Sequence, residues 1–117
     1  MPYMLLIVEP TGQRRGRSEA EGRELYARMQ RFGQSLQERG LLLAMESLQS
    51  QDGAARVQSR GGQARVVDGP FAEAKEMIGG FFLLGCGTRD EAIAIAAECP
   101  AAEWCTVEVR AVAPCYE

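Results

Sequence analysis

Two four-residue strings constrain the fold of this chain more than any other feature. Ser18-Glu19-Ala20-Glu21 and Thr88-Arg89-Asp90-Glu91 both have the form of a capping box, in which the hydroxyl accepts from an early helical amide and the later glutamate reaches back. Each predicts the start of a helix. After the first, Leu25, Met29, Phe32 and Leu36 recur at helical spacing. Arg39-Gly40 then supplies a basic last turn and a glycine stop, so the first helix is predicted over residues 19 to 39. After the second box come Ala92, Ile93, Ala96 and Ala97, and Pro100 closes that helix.

Between and around these helices lie apolar runs of strand length. Tyr3 to Val8 (YMLLIV) is apolar at every position, Leu41 to Leu48 (LLLAMESL) is apolar with Glu46 inside it, and GGFFLLGCG opens on Gly79-Gly80. Cys105 to Val112 alternates Val107, Val109 and Ala111 against Thr106, Glu108 and Arg110. The segment ARVQSRGGQARVVDGP reads as a projecting hairpin, with short β-rich runs either side of Gly61-Gly62. The order is βαβ, hairpin, βαβ. That order predicts an α+β, ferredoxin-like split βαβ fold with an inserted β-hairpin and both helices on one face of an antiparallel sheet. Two helices cover only one face, yet the first strand is apolar on both. The expected cover for the second face is another copy of the chain, because symmetric dimers are the commonest soluble oligomers.

At 117 residues the chain is expected to form a single domain. No run approaches the roughly 18 apolar residues of a membrane span, and the apolar start lacks the basic region and cleavage site of a signal peptide, so a cytoplasmic protein is expected. The net charge is −3 and the 13 basic residues are scattered, which argues against nucleic acid. Cysteines stand at 86, 99, 105 and 115 with no C-x-x-C pair and no histidine, so neither a metal site nor a cofactor is expected. Cys86 and Cys99 read as reduced core residues, and Cys115 as an exposed thiol.

The absence of histidine also rules out imidazole-based nucleophilic or acid–base catalysis. Carboxylates, Lys75, tyrosines and arginines remain. Asp68 ends a strand before Gly69-Pro70, where it either lines a cleft as an acid or base or hydrogen-bonds the following turn. Glu46 sits on an apolar strand, where a charge is costly unless it is paired, faces a cavity or reaches water. Arg110 is a possible partner for Glu46, or else extends to solvent. Lys75 lies between Glu73 and Glu76, which favour its protonated form, and Phe71 reads as an apolar anchor for its loop.

The nine residues DGPFAEAKE (68 to 76), with YMLLI near the start, GGFFLL after the motif and TVEVRAV at the end, resemble the YCII-related family in its DGPF subgroup. The subgroup's hallmark is similar to DGPFAETKE, so this chain departs from it at Ala74. The resemblance implies a ferredoxin-like domain and dimers of the α/β-barrel type. A His-Asp pair has been suggested as an active site in the broader family, and only its Asp is matched here, at Asp68. Members of the subgroup are often encoded beside extracytoplasmic-function sigma factors, which implies a regulatory role and a sigma-factor-related protein partner. Three readings follow. The first is a dimeric small-molecule-binding or regulatory module with Glu46, Asp68, Phe71, Lys75 and Arg110 at its site. The second is an enzyme using Asp68 as general acid or base on a small carbonyl or lactone-like substrate. The third gives the motif a purely architectural role.

Overall fold

Both capping boxes close in the computed structural model, which describes residues 1–117. Ser18 Oγ accepts from the Glu21 amide at 3.1 Å and Thr88 Oγ1 from the Glu91 amide at 3.2 Å. The two glutamates return to the capping hydroxyls, which donate to them at 3.1 and 3.3 Å. These caps start α1 (Glu19–Glu38) and α2 (Arg89–Glu98). The strands are β1 (Tyr3–Pro10), β2 (Leu42–Ser47), β3 (Ala55–Arg60), β4 (Gln63–Asp68), β5 (Glu76–Leu84) and β6 (Thr106–Ala111).

Four strands form an antiparallel sheet in the order β2-β5-β1-β6. β5 lies between β1 and β2, which α1 connects, so the βαβ unit is split and the architecture is α+β, consistent with a ferredoxin-like fold. One boundary differs from expectation. β5 begins at Glu76 rather than at Gly79, because Met77 and Ile78 still pair with Glu9 and Val8 of β1. Gly79 is the unopposed residue where the register shifts, between the pairs Ile7–Gly80 and Val8–Ile78.

Strand alternation divides the sheet into two faces. Leu5, Ile7, Phe82 and Leu84 point toward the helices and form one buried cluster with Phe32 and Leu36 of α1 and Ala92, Ile95 and Ala96 of α2. Phe32 meets Phe82 edge-on, with ring centroids 5.1 Å apart. Cys86 and Cys99 belong to this cluster, whereas Cys115 is exposed. The opposite face carries Met4, Leu6, Val8, Phe81 and Leu83, half-buried and outside the cluster.

The β3–β4 hairpin forms a separate two-stranded sheet whose residues are all exposed. It gives the chain a radius of gyration of 16.0 Å, against about 13 Å for a compact domain of this length. The segment DGPFAEAKE seats this arm. Phe71 is buried, the Arg56 guanidinium lies 3.8 Å from its ring centroid, and Glu73 stands 3.6 Å from the same guanidinium. The Lys75 carbonyl then accepts from the Thr11 amide at 2.9 Å, tying the segment to the end of β1.

Candidate functional site

α1 does not lie flat on the sheet. At Gly33 its backbone approaches so closely that an added Cβ would overlap the Met45 thioether and fall 3.5 Å from the Phe82 ring. Phe32 and Leu36 flank this point and are buried. Toward its N-terminus the helix stands off, and Leu25 and Met29, which continue the same apolar stripe, are only half-buried. The space beneath them is a cleft of about 500 Å³, within the usual range for small-molecule sites. Ile7, Glu9, Met45, Gly79, Gly80 and Phe82 lie along its sheet side, and Leu25, Tyr26 and Met29 along its helix side. Ala101 and Trp104, from the turn that follows α2, close one end.

Glu9 is the one buried charged residue of the chain, 5 % exposed. It continues the inward alternation Leu5, Ile7, Glu9, and its carboxylate pairs with Arg14 Nε. Arg14 comes from the short 3-10 turn Gln13–Gly16 and also donates through Nη1 to the Leu48 carbonyl at 2.9 Å, bridging the ends of β1 and β2. The pair sits directly above Gly79. A Cβ there would collide with Glu9 Oε2 and fall 2.8 Å from Arg14 Nη2, and one on Gly80 would fall 2.7 Å from the Glu46 carbonyl. Gly79 therefore makes room for the ion pair on the cleft floor, and Gly80 for the close approach of the β2 backbone.

Behind this end of the cleft lies Cys105, whose thiol is pushed up to about 11, first by burial, then by the negative charge of Glu9 and next by Cys99. Arg28 holds the end wall to the helix, pairing with Glu103 and placing its guanidinium 5.3 Å from the Trp104 ring centroid. Gln13 Nε2 donates to the Trp104 carbonyl at 2.7 Å, so the loop after β1 and the end wall are joined as well.

The residues singled out in the sequence are dispersed. Glu46 borders the cleft, although alternation places its side chain on the outer face opposite Phe81. Asp68 is exposed at the end of β4 and its side chain makes no hydrogen bond. Phe71 is buried beneath Arg56, and Lys75 is exposed in the loop before β5. None of Asp68, Phe71, Lys75 and Arg110 borders this cleft or the smaller one beside Arg15 and Asp52. Arg110 does not pair with Glu46. The two occupy β6 and β2, the opposite edges of the four-stranded sheet, and the nearest carboxylate to Arg110 is Glu108 at 3.8 Å. Reading the first strand only to Val8 passes over Glu9, and taking Gly79-Gly80 as a strand opening hides the room it makes. The signal for Glu9 is a carboxylate continuing an inward apolar alternation.

A family model, the YCII-related domain, matches residues 1–115. The chain belongs to the YCII-related family. It is also 48% identical over 40 residues to an uncharacterized protein of Rhizobium meliloti (strain 1021), a match covering 34% of this chain and 32% of the relative. The match thus spans about a third of the curated relative's length. No helix of this YCII-related chain is long and apolar enough to cross a membrane.

Proposed function

We propose that this YCII-related chain is a small-molecule-binding module whose ligand enters the cleft beneath the N-terminal half of α1. The observation that carries the reading is the buried Glu9 carboxylate, paired with the half-buried Arg14, on the floor of an otherwise largely apolar cleft. A pocket with mostly apolar walls and a few fixed polar groups is the usual form of a small-molecule site. Ligand occupancy would be relayed to a protein contact, and the resemblance of residues 68 to 76 to the DGPF subgroup makes a sigma-factor-related protein the partner to test. Asp68 lies outside the cleft, so the reading rests on Glu9 and Arg14.

The test is a thermal-shift screen of the purified protein against pooled metabolites. A ligand at a hundred times its Kd adds about 2.7 kcal/mol to the folded state. At least one pool is expected to raise the wild-type Tm and to leave Leu25→Trp, which fills the cleft, unmoved. A response retained in Leu25→Trp but lost in Asp68→Asn would move the site to the hairpin, and no response in any protein would overturn the reading.

The same reading includes a homodimer. Its support is the outer face, where Met4, Leu6, Val8, Phe81 and Leu83 form a continuous apolar surface beside the exposed Leu43 and Ile78. Light scattering is expected to give twice the 12.8 kDa chain mass. Leu6→Glu, which places a charge at the centre of that surface, is expected to yield monomer, and a wild-type monomer would remove the proposal.

A further inference from the structure

Three arginines border the cleft, and two of them are matched. Arg14 is paired with Glu9, and Arg23 with Glu19 at 2.7 Å. Arg17, half-buried, has neither a carboxylate nor a hydrogen-bond acceptor for its guanidinium, since every ion pair of the chain uses another arginine. The remaining acidic residue on the cleft, Glu46, turns its side chain to the outer face while Met45 packs inward. The side chains facing the cleft therefore leave one uncompensated cation.

A partly desolvated charge without a counter-ion is costly, and a guanidinium presents a planar fork of donors that matches a carboxylate. Arg17 also directly precedes the α1 cap Ser18, so the positive end of the helix dipole reinforces its field. The two acids of that first turn are occupied, Glu19 by Arg23 and Glu21 by the Ser18 hydroxyl. Arg17 lines the same cleft as Leu25, Tyr26, Met29 and Trp104, so the free cation and the apolar walls share one cavity.

We propose that the cleft takes a small organic carboxylate, with the anionic group on Arg17 and a ring-sized apolar body against Leu25, Tyr26, Met29 and Trp104. This rests on the cleft being the binding site.

The experiment is calorimetric titration with benzoate, phenylacetate and cyclohexanecarboxylate, each beside its neutral primary amide, on wild type, Arg17→Gln, Arg17→Lys and Leu25→Trp. The carboxylates are expected to bind wild type at least about tenfold more tightly than the amides, as loss of a charge-assisted hydrogen bond implies. Arg17→Gln should erase that preference, Arg17→Lys should restore part of it, and Leu25→Trp should abolish binding of both sets. Unchanged thermal melts of the two Arg17 variants would show that they fold. Equal affinity for acids and amides, lost in Leu25→Trp, would leave the cleft a binding site and overturn the carboxylate assignment. A carboxylate preference that survives Arg17→Gln would overturn the role of Arg17. Binding of neither set would overturn this proposal, and the cleft reading would fall only if the metabolite pools were silent too.

Discussion

The two halves of α1 carry the same apolar spacing and use it in opposite ways. In the C-terminal half Phe32 and Leu36 are buried against the sheet, and Gly33 lets the backbone close on Met45 and Phe82. In the N-terminal half Leu25 and Met29 remain half-buried above a cleft. What separates them lies beneath. Under the closed half the sheet presents packed apolar side chains, and under the open half it presents an ion pair seated on Gly79. An apolar stripe on a helix is therefore not by itself a folding interface, since one end can pack into the core and the other line a site.

Truncating one leucine in each half tests this contrast at its largest. Leu36 is fully buried, so Leu36→Ala should cost about 2–5 kcal/mol in urea unfolding. Leu25→Ala should cost less than about 1 kcal/mol, because little packing is lost over an open cleft. Comparable losses at the two sites would mean that the open half is closed in solution.

A smaller effect is expected on the floor. Gly79→Ala drives a methyl group into the Glu9–Arg14 pair and should destabilise by about 1–3 kcal/mol, as overpacking does. Combining it with Glu9→Ala removes the obstacle, so the two changes should cost less together than the sum of their separate effects, with a coupling of at least about 0.5 kcal/mol. Strict additivity would show that Gly79 is needed for the bulge rather than for the ion pair.

Most of the architecture was legible because local signals agreed with one another. The capping boxes placed both helix starts, the glycine pair at 61 and 62 placed the hairpin turn, and alternation in β6 separated its faces. The cleft was far less legible. Helical periodicity says which residues share a side of α1, but the distance between helix and sheet is set by Gly33 at one end and by the Glu9–Arg14 pair at the other. Those contacts join Gly33 to Met45 and Phe82, Gly79 to Glu9 and Arg14, and a strand to its own following loop, which no local pattern reports. In DGPFAEAKE only one of the four charges, Glu73, meets the hairpin, where it and the Phe71 ring hold Arg56 from two sides.

The open half also depends on its cap. Ser18 is the first support of the helix segment that packs least, so Ser18→Ala should cost about 1 kcal/mol. It should also raise amide exchange over residues 19 to 25 ahead of residues 32 to 38. Uniform acceleration along α1 would mean that the helix opens as one unit.

The smallest effect reads the charge on the cleft floor through Cys105. Burial comes first and the Glu9 carboxylate second in pushing that thiol up to about 11. A group whose pKa is raised in the folded state favours folding while it stays protonated. Its contribution is complete below the ordinary thiol value of 9.0 and is lost as pH rises through about 11. Wild type should therefore lose more Tm than Cys105→Ala between pH 8 and pH 10.5, the comparison cancelling the other groups that titrate in that window. With its thiol pushed up to about 11, Cys105 should alkylate at pH 8 far more slowly than the exposed Cys115. Glu9→Gln removes one of the two main causes and leaves the burial in place, so Cys105 should react several-fold faster in that variant and the pH-dependent loss of Tm should be smaller. If the alkylation rate does not change, the charge of Glu9 is already neutralised by Arg14 as seen from Cys105, and the floor of the cleft presents a closed ion pair.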